Sequence, residues 1–245
     1  AGRKVAAIAG QHLKKCVLEL GGSDPFIVLD DADIEWTAQQ ALIARLQNMG
    51  QSCIAAKRFI LLETIADGFV EQLQALISQL RSGDPKDAAT TIAPMARMDL
   101  RNELHAQVER SLALGAKLRA GGFSIGEQGA YYAPTILDQV QPGMPAFDEE
   151  LFGPVFAIMR VGNAEEAIKL ANQTQFGLGG SVWTGDLASG EALARQIQAG
   201  CTFVNGIVKS DPRLPFGGIK DSGYGRELSY HGIREFVNIK TIWIR

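Results

Sequence analysis

Cysteine and histidine are scarce, three of each in 245 residues. Cys16, Cys53 and Cys201 are odd in number, lie far apart and form no CxxC pair, which argues against a disulfide framework or a zinc site. The reading is a reducing, cytoplasmic compartment. His12, His105 and His231 are widely spaced, so no metal is expected. Long hydrophobic runs are also missing, since no apolar stretch approaches the roughly 18 residues that a membrane helix needs. The short apolar stretch after Arg3 and Lys4 is too brief for the core of a signal peptide. Charge of one sign is lacking too: 24 Lys and Arg are set against 27 Asp and Glu, for a net charge of -3. With no sustained basic stripe, neither nucleic acid nor a membrane surface is an expected partner. There is no initiating methionine, and the chain starts inside a helical pattern, which leads us to expect a fragment or an excised domain.

What is present is a hydrophobic content of 46% and 27 glycines, many in pairs at 21–22, 121–122, 179–180 and 217–218. The first implies a substantial core, and the second implies tight turns or close backbone approach to a ligand. Apolar runs alternate with helical patterns. Strands are expected at 16–20, 26–29, 58–62, 116–120, 132–137, 155–161, 180–184 and 202–205. Helices are expected at 4–15, 34–47, 65–81, 98–114, 163–173, 187–198 and 226–234. This order predicts an α/β fold with a mostly parallel sheet flanked by helices. The tail from Phe236 to Ile244 alternates apolar and polar residues, the pattern of a half-exposed strand, and at a chain end it calls for a partner sheet.

Two places combine reactive chemistry with unusual surroundings. Cys53 sits in Asn48-Met-Gly-Gln-Ser-Cys53, where a helix gives way to a loop, and its own amide could donate to an oxyanion. Cys16 and Cys201 are expected in apolar strands as inert core thiols. Glu19 lies in the apolar run Val-Leu-Glu-Leu just before Gly21-Gly22. Burial there would raise its pKa toward the range of a general base, whereas an outward-facing strand carboxylate would do nothing. A thiol and a carboxylate at element ends beside glycine turns suit thioester chemistry.

Glu19-Leu-Gly-Gly22 with Asp24-Pro25, Gly50-Gln-Ser-Cys53, Glu149-Glu-Leu-Phe-Gly-Pro154, and Pro215-Phe-Gly-Gly-Ile-Lys220 with Ser222-Gly-Tyr-Gly-Arg-Glu227 together resemble the aldehyde dehydrogenase superfamily, in that family's order. The resemblance implies that Cys53 is the nucleophile and Glu19 the base. It also implies that Leu20, Gly21, Glu150 and Phe152 meet the ribose and nicotinamide end of NAD or NADP, and that Asn205 and Phe216 line the substrate end. By the same resemblance, residues 1–22 are the remnant of a dinucleotide-binding domain, 23–220 the catalytic domain, and 221–245 a segment carrying an oligomerisation strand. The rest of the cofactor site and an oxyanion-hole asparagine would precede Ala1. A homo-oligomer, a dimer or tetramer, is implied as well.

The stretches Lys14 to Phe26, Ala55 to Ile60 and Ser210 to Arg213 are most similar to bacterial succinate-semialdehyde dehydrogenases, which implies a small anionic aldehyde as substrate. Where many of that group carry an arginine, six residues before the nucleophile, this chain has Gln47. Arg213 is then the first candidate to hold the substrate carboxylate, with Lys209 and Arg45 behind it. Other readings are a non-catalytic interaction module that pairs through its terminal strand, and a cofactor-free cysteine hydrolase.

Overall fold

The computed structural model of the chain describes residues 1–126 and 128–245. Four long apolar runs form the middle of the sheet: β2 (Pro25–Val28), β3 (Arg58–Leu62), β6 (Val155–Val161) and β7 (Gly179–Trp183). Every residue of β2, β3 and β7 is buried, as in a parallel sheet covered on both faces by helices. With β4 (Lys117–Ala120), β5 (Thr135–Asp138) and β8 (Cys201–Val204) they make a seven-stranded sheet in the order β4-β5-β6-β3-β2-β7-β8. Only the edge pair β4 and β5 is antiparallel; all other neighbours run parallel.

Local chemistry sets the helix starts. Asp33 accepts a hydrogen bond from the Trp36 amide at 3.0 Å and caps α2 (Ile34–Leu46). Asn163 caps α6 (Ala164–Asn172) and Asp186 caps α7 (Leu187–Ala194) in the same manner. Phe69, Val70 and Leu73 of α3 (Glu63–Ser78) reach the central core beside Phe26, Phe59 and Phe156. The helix α4 (Met98–Ala113) adds Leu104 and Val108 to it.

The ends of the chain differ from expectation. The strand expected at 16–20 is reduced to β1 (Leu18–Glu19), because its partner β9 (Gly223–Tyr224) is equally short. Cys16 therefore lies outside any strand and is half-buried, with Sγ 3.2 Å from the Tyr224 hydroxyl. The strand expected at 132–137 starts only at Thr135, since Tyr132 is engaged separately by an isolated bridge to Ser124. The ion pair of Arg3 with Asp221 at 2.7 Å joins α1 (Gly2–Gln11) to the last part of the chain, so the first and last segments fold onto each other. After α8 (Ser229–Glu235) the tail forms no strand: Ile239 is 95% and Trp243 85% exposed. An alternating strand needs a ladder to satisfy its backbone, and this single chain offers the tail none.

Candidate active site

Parallel strands enter the sheet from one side, so the loops that precede neighbouring strands lie side by side. Register makes this concrete: Pro25 of β2 is opposite Arg58 of β3, which is opposite Ala157 of β6. The segment Glu19 to Asp24 enters β2, Cys53 to Lys57 enters β3, and Glu150 to Pro154 enters β6. The three motifs, far apart in sequence, meet at the amino-terminal edge of the sheet because β6, β3 and β2 are adjacent. Two glycines allow the close approach. A side chain on Gly22 would come within 2.7 Å of the Cys53 carbonyl, and one on Gly21 would collide with the Glu150 carboxylate.

The loop carrying Cys53 is held in a costly conformation. Asn48, Met49 and Gly50 are all left-handed, with φ of 51°, 55° and 74°. For the two non-glycine residues this costs on the order of 1 kcal/mol or more each. Side chains offset the cost: Asn48 Nδ2 donates to the Gln51 carbonyl at 2.9 Å, and Gln51 Oε1 accepts from the Ala96 amide at 2.8 Å. Beneath the loop, the buried Arg45 guanidinium donates to the carbonyls of Gly50 and Ala56. Arg45 thus faces backbone in the core and is withdrawn as a substrate ligand. Arg58, also buried, spends its donors on Ser23, Leu170 and Ala171, the last two at the carboxyl end of α6. Cys53 itself is half-buried, and burial pushes its thiol pKa up, opposed by the nearby charge of Lys57.

Glu19 projects from β1, and its Oε1 is buried with no hydrogen-bond partner among the described residues. Burial, then the neighbouring Glu227 carboxylate, raise its pKa to about 7, against an opposing pull from the Gly218 backbone and Arg226. A carboxylate near neutrality with one buried, unpartnered oxygen, in the electrostatic field of the Cys53 thiol, has the attributes of a general base. Its strand is fixed from behind. The buried Ser222 hydroxyl donates to the Gly21 carbonyl at 2.7 Å and accepts from the Gly177 amide at 3.0 Å, and the Leu20 amide donates to the Ser222 carbonyl.

Glu150 leans over the glycine pair, where Oε1 accepts from the Gly22 amide at 3.0 Å and lies 3.5 Å from Lys57 Nζ. Glu149 turns the other way, in a forked pair with Arg110. Phe152, 39% exposed, joins Glu150, Gln107, Leu104 and Gln175 around a cleft of about 510 Å³. Gly21 and Glu150 are thus in close contact, Glu150 and Phe152 share the open cleft, and the Leu20 side chain packs toward Gly2 of α1.

The residues expected at the substrate end are less united. Phe216 is buried, and its backbone pairs with Glu227 in a two-way bridge. Asn205 follows β8 and so stands at the opposite, carboxyl-terminal edge of the sheet. Its amide donates to the Thr184 carbonyl and accepts from the Thr184 amide, at 2.8 and 2.9 Å. A four-residue strand, roughly 13 Å at about 3.3 Å per residue, separates it from the Cys53 edge. Asn205 thus joins the ends of β7 and β8. Arg213 is 86% exposed on its side chain and forked onto Asp211, with Nε–Oδ1 of 2.9 Å and Nη2–Oδ2 of 2.7 Å.

Sequence reasoning did not single out Lys57, Arg58, Ser222 or Asp24. Asp24 is fully buried, accepts from the Gly179 amide, and has a pKa raised to about 6 by burial. A signal existed: Lys57-Arg58 runs directly into an all-apolar strand, where a cation must either turn back or find carbonyls.

Comparison with known proteins identifies the family. The profile of the aldehyde dehydrogenase family matches residues 1–242. A succinate semialdehyde dehydrogenase [NAD(P)+], Sad, of Escherichia coli (strain K12) is 52% identical over 99% of this chain and 53% of its own length. A probable succinate-semialdehyde dehydrogenase [NADP(+)] of Synechocystis is 51% identical over 100% of this chain and 54% of its own. The crystal structure of succinic semialdehyde dehydrogenase from Streptococcus pyogenes in complex with NADP+ superposes with a TM-score of 0.95 at 42% identity, covering 98% of this chain and 53% of that one. The chain spans about half the length of the curated relatives it matches.

Proposed function

Since the chain belongs to the aldehyde dehydrogenase family, we propose that it carries the nucleophile and base of an enzyme that oxidises succinate semialdehyde to the dicarboxylic acid with NAD or NADP. The observation that carries this reading is the meeting of Cys53, Glu19 and Glu150 at one sheet edge, with Glu19 poised near neutrality. The Cys53 thiolate attacks the aldehyde carbon, and the carbonyl oxygen becomes an alkoxide within reach of a backbone amide such as that of Cys53. The nicotinamide cofactor, when bound, supplies the hydride acceptor that makes the oxidation possible. The open cleft beside Glu150 and Phe152 would offer room for part of that group. Glu150, Phe152, Leu20 and Gly21 would hold its ribose and nicotinamide end. The thioester on Cys53 is then cleaved by water whose proton passes to Glu19, which frees the acid and restores the thiol.

Substrate charge gives the test. In an enzyme of the relatives' length carrying this chain, reduced cofactor should form far faster with succinate semialdehyde than with butanal. Arg213→Ala should lower kcat/KM for the anionic substrate about tenfold, the lower end for a charge-assisted contact because Asp211 already occupies the fork. Butanal turnover should stay nearly constant. Equal losses on both substrates would refute a carboxylate-reading role.

The tail supports a homo-oligomer. Its exposed Ile239, Ile242, Trp243 and Ile244 would be covered by adding a strand to another copy's sheet. Removal of residues 236–245 should reduce the assembly mass measured by light scattering. An unchanged mass would remove the tail from the interface.

A further inference from the structure

The most unusual cation in the molecule is Lys57. Its side chain is 1% exposed, and its Nζ donates to the carbonyls of Ser52 at 2.9 Å, Cys53 at 2.9 Å and Ala55 at 3.1 Å. An ammonium has three N–H donors, and all three are spent on the loop that bears the thiol. A neutral amine has two donors and would turn its lone pair on a carbonyl, so the geometry requires the charged form. The Glu150 carboxylate, 3.5 Å away on the segment entering β6, faces the same nitrogen.

We propose that Lys57 is a positioning residue for Cys53: it folds the 52–55 backbone around its ammonium and places a buried positive charge beside the thiol, favouring the thiolate. The proposal rests on Cys53 being the reactive thiol, but its test needs no turnover. The charge is not isolated. Arg45 from α2 faces it with the same sign, while Asp24 from the segment entering β2, Glu150 and Cys53 face it with the opposite sign. Burial and Arg45 pull the Lys57 pKa down to about 8, and the three anionic groups resist that pull. Of all the charges near Cys53, Lys57 is the one that lowers the thiol pKa most. An arginine could not reproduce the arrangement, because its planar fork cannot converge on three carbonyls around one nitrogen.

Alkylation of the 245-residue chain by neutral iodoacetamide, followed peptide by peptide by mass spectrometry, reads each thiol separately. Lys57→Met and Lys57→Gln should raise the apparent pKa of Cys53 by about one unit and slow its alkylation near neutral pH about tenfold. Cys16 and Cys201 should react at unchanged rates, which certifies that the fold is intact. A Cys53 profile that does not move in a folded variant overturns the proposal.

If both variants unfold, the unsubstituted chain still decides. Coupling is reciprocal, so converting Cys53 to its uncharged carbamidomethyl form must lower the Lys57 pKa seen by carbon-13 NMR at Cε. Identical Lys57 titrations before and after alkylation overturn the proposal. A Cys53 pKa that follows Lys57, together with no dehydrogenase activity in an enzyme of the relatives' length carrying this chain, would uphold this inference and sink the proposed function alone.

Discussion

Cys53→Ala should abolish aldehyde oxidation, with a loss on the order of 10⁴-fold or more in kcat and no burst of reduced cofactor, because the thioester has no atom on which to form. Any esterase activity of the same site should vanish with it. The other cysteines are the controls, and their surroundings explain why. The Cys201 thiol is pushed up to about 12, chiefly by burial, and points at the Leu178 carbonyl from within β8. Cys16 rests against the Tyr224 hydroxyl outside the cluster. Cys16→Ala and Cys201→Ala should each keep most activity. Substantial turnover by the Cys53 variant, measured as reduced cofactor at saturating aldehyde, would end the assignment.

The expected loss is large because Cys53 is placed by a structure that has few alternatives. Its loop begins with three left-handed residues, continues over Arg45 and Lys57, and closes against Gly22, where a side chain would strike the Cys53 carbonyl. Each contact is to backbone, so the thiol is aimed by carbonyls and amides, with side chains as supports. This is why the site could be read only in part from sequence. Strands β3 and β6 were legible to the residue, because predominantly apolar runs bounded by charged residues, proline, glycine or helical patterns admit few other conformations. The thiol and the carboxylate stood out because each broke its local pattern. Lys57, Arg58 and Ser222 did not stand out, because their partners lie in other segments, and a sequence pattern carries no information about a carbonyl that a fold brings near. The edge at which Asn205 stands was not legible for the converse reason. This residue follows a strand as other site residues precede theirs, and which edge of the sheet that means depends on strand direction and order. The tail shows a third limit, since alternation prescribes a strand but a ladder requires a partner.

Glu19→Gln gives the second large effect and separates the two halves of the reaction. The amide keeps the shape of the side chain but cannot take a proton from water, so the first turnover should survive while hydrolysis of the thioester slows by about 10²- to 10³-fold. Rapid mixing should then record a burst of reduced cofactor followed by a slow steady state. In the unsubstituted enzyme the deacylation rate should rise with pH through about 7, as burial and Glu227 hold Glu19 protonated below that point, and this limb should disappear in the variant. Glu227→Gln removes a like charge and should move the limb to lower pH without abolishing it. Stability must follow the same sign. A carboxyl whose folded pKa lies above its unfolded value of 4.5 binds its proton more tightly in the folded state. Its contribution to stability is therefore present at pH 4 and lost as the pH rises through 7. Glu19→Gln, which mimics the protonated form, should raise thermal stability at pH 8 relative to the unsubstituted chain and change it little at pH 4. A variant with normal steady-state turnover, no burst and no pH-dependent gain in stability would show that Glu19 is neither buried as a base nor used as one.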